Sequence, residues 1–592
     1  MHNMNIKTKL NAKLNEIKRL IKKYRFDDLR KIYAIPLLIT VIMFTVSGFN
    51  AGYIIAYLTS VLVIAGLFIQ SRNAKKALLA SYALIMVGSL CYNTVFAKPA
   101  TDYAQDFEQA FTTMHEHYVL TKEKGIDWDA LYAKYKPLFE KADQTSDETE
   151  NYKTWLRFTN EFYDGHTAYM IESQSHQAEV MMRSFGNDYG LSIVRLSTGE
   201  YVAANVEGYE NSYSADKGDE DDYGFYKTTD SFLPEEYEDI RTTLKDAGIK
   251  NGTVITAWNG RPIDEYFAQI DYYLQAYPVR ENEEFYRPIY VAGIGENMEY
   301  GETCNGDENE TNEKGRYALI TYIDDEGNAK EIKAPRLGAY MPRLYDTIHK
   351  IDAGENVTNL TWKSIDDDTV LLRISSMAYD EQSYGKPEMY EDMVSKLREE
   401  VITLKESGIS NLIIDLRSNS GGDPFFVQNV AGLFAPKGEH VNVYTAVINE
   451  KTATFERDEN GRYIPAGPLT YTGEDLWHDG KIILLVNAEC ISAGDDMTYI
   501  MGEYPNVKVC GITRSNSSCQ AVTGIRIGKG YLSFSAVPNI DENGNVVVDT
   551  LTNRVGRTPF DEYIPFDLEF VRAVFDRGED PQLKYVTENY MN

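Results

Sequence analysis

Three apolar runs near the N-terminus, Ile32–Phe49, Ala51–Gln70 and Ala77–Phe96, hold 18, 20 and 20 residues and no Asp, Glu, Lys, Arg or His. About 20 apolar helical residues cross a hydrocarbon core of roughly 30 Å, so each run predicts a transmembrane helix. A cleaved signal peptide has one apolar region of about 7–15 residues and does not fit three. Lys18, Arg19, Lys22, Lys23, Arg25, Arg30 and Lys31 precede the first run, and Arg72, Lys75 and Lys76 lie between the second and third. Asn50, between the first two, carries no charge. Positive charge marks the cytoplasmic side, so the N-terminus is expected inside and everything after Lys98 outside. Leu10, Leu14, Ile17, Leu20 and Ile21 make the first segment amphipathic, which suits a helix on a lipid surface or a merely solvated one.

The charge divides at the same boundary. The 592 residues carry a formal net charge of −31. Residues 1–98 hold 14 basic and 3 acidic side chains, leaving 45 basic and 87 acidic beyond them. An acidic external part excludes nucleic acid as a partner, because phosphate binding needs clustered positive charge; membrane lipid is the partner implied by the first part. Cys91 falls in the third run, and Cys304, Cys490, Cys510 and Cys519 lie beyond it. Spacing leaves a Cys510–Cys519 bridge open, and without Cys-x-x-Cys or His clusters no zinc site is expected.

Beyond Lys98 the pattern is helical from Tyr103 to about Ile171, with Phe107, Ala110, Phe111 and Met114 at helical spacing and a helix start at Asp127–Asp129. Short strands are predicted at Gly190–Val194 and Tyr201–Ala204 around the Ser197–Gly199 turn. An acidic stretch (about 207–235) reads as a solvated loop. A strand between Asn251-Gly252 and Asn259-Gly260 should lead into a helix. From residue 315 a hairpin (317–323, 329–334) precedes alternating strands and helices, with strands at 369–374, 411–416 and 481–487. Helices are expected at 387–405, 425–433 and from 493. That alternation predicts a parallel-containing α/β core.

Two loops after buried strands can carry chemistry, because α/β folds place ligands there. Asp415–Asp423 contains Gly421-Gly422, whose backbone N–H groups can approach a ligand closely. In Asn487–Asp495, Ser492 sits between small residues at a strand-to-helix junction, a position for an exposed nucleophile. Taken locally, the same serine reads first as a helix N-cap.

Four blocks in order change that balance: FYDGHTAY (162–169), LKDAGIKNGTVITAWNGRPI (244–263), IIDLRSNSGG (413–422) and LLVNAECISAGD (484–495). Together they resemble the C-terminal processing peptidases, the serine peptidases that include tail-specific proteases and the tricorn core. The resemblance runs from about Tyr103 to the end. It implies a multidomain protein in which the three transmembrane helices are followed by a small helical domain, a PDZ-like β-rich domain and an α/β peptidase core of ClpP/crotonase-like fold. The boundaries it suggests are 1–31 (basic cytoplasmic), 32–98 (membrane), 99–175 (helical), 183–275 (PDZ-like with the acidic insert) and 276–592 (core).

The resemblance makes Ser492 the nucleophile, with an oxyanion hole from the N–H of Ala493 and of Gly421 or Gly422. One branch of the family activates its serine with a lysine in T-x-G-K-G-x-x-Q; here the matching stretch, Gly511–Ser518, contains no lysine, and the nearest later one is Lys529. The tricorn-like branch uses a histidine, and Asp164-Gly165-His166-Thr167 matches it. His166 is therefore the expected base and Lys529 the alternative, since histidine titrates near neutrality whereas lysine must lose several pKa units. The acidic third member of the tricorn-like site is replaced by Asn553, and Ser517 or Ser518 offers another link. Gly190-Leu191-Ser192-Ile193 resembles the PDZ carboxylate-binding loop and implies capture of the C-terminal tails of peptides. The expected function is membrane-anchored peptide-bond hydrolysis outside the cytoplasm, with no metal or organic cofactor. A catalytically inactive peptide-binding scaffold is the alternative.

Overall fold

The computed structural model describes residues 101–206, 243–303, 314–352, 360–378 and 387–591. The protein divides into two compact units, Met1–Thr101 and Asp102–Asn592, and the described elements belong to the second. The expected membrane spans, the amphipathic stretch before them and the acidic insert lie outside the described residues. Among the described residues no helix is long and apolar enough to cross a membrane.

The helical part comprises α1 (Tyr103–His117), α2 (Thr121–Lys124), α3 (Trp128–Thr145) and α4 (Glu148–Asn160). Phe107, Ala110, Phe111 and Met114 form the buried stripe of α1, and Phe107 stacks on Phe139 of α3 with centroids 4.7 Å apart. Asp127 starts α3 by accepting the Ala130 N–H at 3.0 Å. Asp147 does the same for α4 through the Glu150 N–H at 2.9 Å. Each such cap contributes roughly 0.5–2 kcal/mol. The helical expectation overshoots at its end. Ala168–Ile171 is a strand, β1, with Tyr169 and Ile171 buried and Met170 exposed; alternation of that kind is a sheet signature. Helix α5 (Gln174–Met182) follows.

The β-rich part contains β2 (Asn187–Asp188), β3 (Ser192–Arg195), β4 (Tyr201–Ala204), β5 (Ile255–Trp258) and β6 (Arg261–Pro262). The helix expected after β6 is a short 3-10 helix, Ile263–Gln269. Next come α6 (Arg280–Val291), β7 (Tyr317–Ile323), β8 (Ala329–Pro335), β9 (Gly338–Ala339) and α7 (Met341–Ile351). Strand β7 pairs with β5 in the sheet β6-β5-β7-β8. The 317–335 hairpin thus pairs with this part, across the boundary expected at 275. Pairing partners about 60 residues apart leave no local signal.

The expected carboxylate-binding loop is also corrected. The Gly190 N–H donates to Asp188 Oδ1 at 2.8 Å. The Ser192 hydroxyl is bonded to Thr347 Oγ1 at 2.8 Å and accepts the Tyr340 O–H at 2.9 Å. Leu191, Ser192 and Ile193 are wholly buried. Tyr340 and α7 cover the loop, leaving no exposed surface there for a peptide carboxylate.

The core contains β10 (Thr361–Ser364), β11 (Thr369–Arg373), α8 (Pro387–Glu406), β12 (Asn411–Asp415) and α9 (Pro424–Phe434). It continues through β13 (Gly438–Ala446), β14 (Ile448–Asn449), β15 (Thr454–Phe455), β16 (Pro465–Gly473), β17 (Lys481–Leu485) and α10 (Ala493–Met501). The last elements are β18 (Val507–Gly511), β19 (Ala521–Ile527), β20 (Gly530–Val537), β21 (Glu562–Tyr563), α11 (Leu568–Arg577) and α12 (Pro581–Val586). The main sheet has the order β10-β11-β12-β17-β18-β21. Its strands run parallel from β11 to β21, and β10 is antiparallel. Strands β11 and β12 are buried along their whole length, as expected of parallel strands covered on both faces. A second sheet, β1-β20-β19, ties the end of the helical part to the core. Cys490, Cys510 and Cys519 are buried free thiols, so the 510–519 bridge is absent.

Candidate active site

The carboxyl ends of adjacent strands β12 and β17 release the two loops that carry the site. They are stitched together: the Ser418 N–H donates to Asn487 Oδ1 at 2.8 Å, and the Ile491 N–H to the Asn419 carbonyl at 3.0 Å. The glycine turn approaches the serine closely. A Cβ on Gly421 would lie 2.5 Å from Ser492 Cβ and 2.9 Å from the Ala493 nitrogen, and its φ of +87° independently favours glycine.

Ser492 has φ +61° and ψ −125°, backbone angles that L-residues rarely adopt and that cost of order 1–3 kcal/mol. It occupies the N-cap position of α10, yet its hydroxyl makes no cap bond. The N-cap explanation of this serine is therefore set aside. Its own N–H donates to the Ser518 carbonyl at 2.8 Å. The Ala493 N–H opens α10 with no acceptor among the described residues, where the helix dipole favours negative charge. From the glycine pair, the Gly421 N–H donates to Asn419 Oδ1 at 2.8 Å, so Gly421 contributes shape rather than a donor. Gly422 is held beside Met377, whose N–H donates to the Gly421 carbonyl and whose carbonyl accepts the Asp423 N–H, each at 2.8 Å.

The loop carrying His166 reaches the same place from the other end of the sequence. The Gly165 N–H donates to Ser518 Oγ at 3.0 Å. A Cβ on Gly165 would lie 2.5 Å from Ile491 Cδ1 and 2.0 Å from Asn516 Oδ1. Asp164 shapes the turn, accepting the His166 N–H at 2.9 Å and the Thr167 hydroxyl at 3.0 Å. His166 is buried and neither ring nitrogen has a hydrogen-bond partner among the described residues; no bond to Ser492 Oγ is formed. Burial pushes the imidazole below its ordinary pKa; the Asp164 carboxylate works against this and Lys124 adds to it. A histidine held neutral in this way is ready to accept a proton.

The other candidates fall elsewhere. Lys529 is exposed in the β19–β20 turn and pairs with Glu148 at 3.5 Å. It lies at the far end of β19 from Ser518, the residue that meets Ser492. Asn553 is exposed and accepts the Val555 N–H at 3.2 Å, a local turn bond. Ser517 Oγ bonds Thr558 Oγ1 at 3.1 Å and accepts the Arg557 N–H at 3.2 Å; it anchors the loop before β21. Ser518, by contrast, contacts both Gly165 and Ser492.

Sequence reasoning missed Asp495. Wholly buried, it accepts the Ser518 N–H and the Thr558 hydroxyl, each at 3.0 Å, clamping the loop that meets Ser492. Burial raises its carboxyl to about 7 against these bonds. It closes the fourth sequence block, but nothing local distinguishes it from a helix-start aspartate. Lys124 was missed too: its Nζ donates to the Tyr163 carbonyl at 2.8 Å and to Thr550 Oγ1 at 2.7 Å.

The site thus brings to one place a strained, uncapped serine at a helix start, a buried histidine and an open backbone donor. Comparison gives the class. Residues 368–531 match the model of peptidase family S41, and residues 99–148 match the Tricorn protease C1 domain. The protein is a serine peptidase. Similar solved structures include mature CPAF complexed with lactacystin, at 11% identity and a TM-score of 0.47, covering 82% of this protein and 97% of that one. The photosystem II D1 C-terminal processing protease matches at 13% and 0.32, covering 81% and 100%. The tricorn protease matches at 14% and 0.32, covering 83% and 37%.

Proposed function

We propose that the protein is a membrane-anchored endopeptidase whose catalytic region, after about residue 98, lies outside the cytoplasm and cleaves protein or peptide substrates through an acyl-enzyme. Ser492 is the nucleophile and His166 the base. The observation that carries the assignment is the strained Ser492 backbone with its hydroxyl free of any cap. His166 accepts the Ser492 hydroxyl proton as Oγ attacks the scissile carbonyl carbon, then returns it to the leaving amine; water releases the acyl group by the same route. The Ala493 N–H, facing the Gly421-Gly422 turn, stabilises the oxyanion. Losing one such donor typically lowers the rate by about 10²–10³. Lys529 is not retained as a base, because it sits in an exposed turn paired with Glu148. Anchoring is supported by the three uncharged apolar runs and the placement of basic residues around them.

One observation favours a second reading: Ser492 Oγ and His166 are not hydrogen-bonded, as in a peptide-binding scaffold without turnover. Catalytic hydrogen bonds, however, often form only when substrate is bound. Comparing proteins cleaved by the wild type and by Ser492→Ala separates the two readings. Cleavage lost in the variant supports the peptidase; equal cleavage in both, or none in either, contradicts it.

A further inference from the structure

The Ser492–His166 pair needs something to hold the imidazole, and neither Asn553 nor Ser517 is placed to do so. Two adjacent buried groups are left unsatisfied instead. One is the His166 ring, with both nitrogens unpartnered; the other is Asn516 Oδ1, on a residue 1% exposed. An unpaired buried polar atom is destabilising, so two beside a reaction centre call for a common explanation.

Asn516 is fixed at its other polar atoms. Its backbone N–H donates to the Cys490 carbonyl at 2.8 Å, and Nδ2 donates to the Ala488 carbonyl at 3.0 Å. A carbonyl accepts only from the nitrogen end of the amide, so the amide cannot be reversed and Oδ1 is the end turned away from Ala488. That oxygen lies 2.0 Å from where a Cβ on Gly165 would stand. It rests against the backbone that carries the imidazole, and only a glycine before His166 leaves room for it.

Resting on the reading of Ser492 and His166 given above, we propose that Asn516 is the positioning residue of this peptidase: its Oδ1 accepts the N–H of one His166 ring nitrogen and turns the other toward Ser492 Oγ. A neutral imidazole has one donor and one acceptor nitrogen, and an amide oxygen selects the tautomer in which the acceptor faces the serine. The amide adds no charge, so the imidazolium formed during attack is balanced only by what surrounds it. Asp164 and Lys124 are the charged groups acting on His166, and Asp549 acts on Lys124. Asn516 stands in the very stretch where a lysine would mark the dyad branch.

The test is the rate at which a fluorophosphonate labels Ser492 in the full-length protein, measured against pH. Asn516→Ala is expected to slow labelling about 10- to 100-fold, a part of the 10²–10⁴ typical of general-base catalysis. Asn516→Asp keeps the shape, gives up the bond to the Ala488 carbonyl and adds a negative charge that favours the imidazolium. Its rate should recover and the rising limb of its pH profile move upward by about one unit. A purely structural role would not restore the rate as the limb moves, because Asp forfeits the bond to the Ala488 carbonyl; the near-isosteric Asp variant serves if the Ala variant melts early. Labelling of Asn516→Ala at the wild-type rate, or an unmoved limb in a folded Asn516→Asp, overturns the proposal. His166→Ala keeps the two claims apart. If it labels like the wild type, the assignment of the base fails; if it does not label while Asn516→Ala does, only the role of Asn516 fails.

Discussion

At the scale of single residues the site depends on backbone shape as much as on chemistry. Ser492 keeps a disfavoured conformation because its neighbours leave no alternative: Gly421 abuts its Cβ, and its N–H is held by Ser518. Gly421→Ala would place a methyl 2.5 Å from Ser492 Cβ at a backbone angle that disfavours alanine. Labelling of Ser492 should then fall at least about tenfold, with the thermal midpoint lowered; a variant that labels like the wild type would show that the close approach is dispensable. The candidates Ser492, His166 and Ala493 stand out in the sequence because short blocks carry them, whereas Gly421, expected as a donor, has its N–H taken by Asn419 Oδ1. Asn516 and Asp495 do not stand out, because the contacts that single them out reach segments hundreds of residues away or across a loop.

At the scale of elements, most strands and helices follow from local patterning. The α/β alternation of the core was visible because β11, β12 and β17 are apolar runs followed by helices. What patterning could not give was pairing: β7 joining β5, or β1 leaving the helical part to pair with β20. Nor could it show that α7 closes the carboxylate-like loop. The C-terminal elements likewise act at a distance. Arg417, two residues after β12, bonds Asp415 at 2.9 and 2.8 Å and Asp580, the N-cap of α12, at 2.9 and 2.6 Å. Arg373 adds a bond to Asp415 at 2.6 Å, and these two arginines hold the Asp415 carboxyl down to about 2. Removing one partner of a buried ion pair leaves an uncompensated charge and destabilises by about 3–5 kcal/mol. Arg417→Met should lower the unfolding free energy by that much, read as a lower urea midpoint at unchanged slope; a loss below about 1 kcal/mol would mean that α12 is not locked to the loop in this way.

At the scale of the whole molecule, the part after residue 98 is strongly acidic and buries several carboxyls whose pKa values are raised. Burial lifts Glu489 to about 8, Asp352 and Asp495 to about 7, and Asp496 and Asp549 to about 6. Between about pH 4 and 8 the folded protein keeps protons that the unfolded one has released, so these groups make stability fall as pH rises. Asp415 acts oppositely, but only as pH falls below its unfolded value near 4. The thermal midpoint is therefore expected to be several degrees higher near about pH 5.5 than near about pH 8; a midpoint that climbs across this range would contradict the buried-carboxyl account. All of this supports a rigid frame around one serine. The most direct test is the mass of the intact protein after exposure to a serine-directed fluorophosphonate, with the adduct located by digestion. A single adduct on Ser492, absent from Ser492→Ala, is the predicted result. An unmodified wild type, or an adduct that persists in Ser492→Ala, would contradict it.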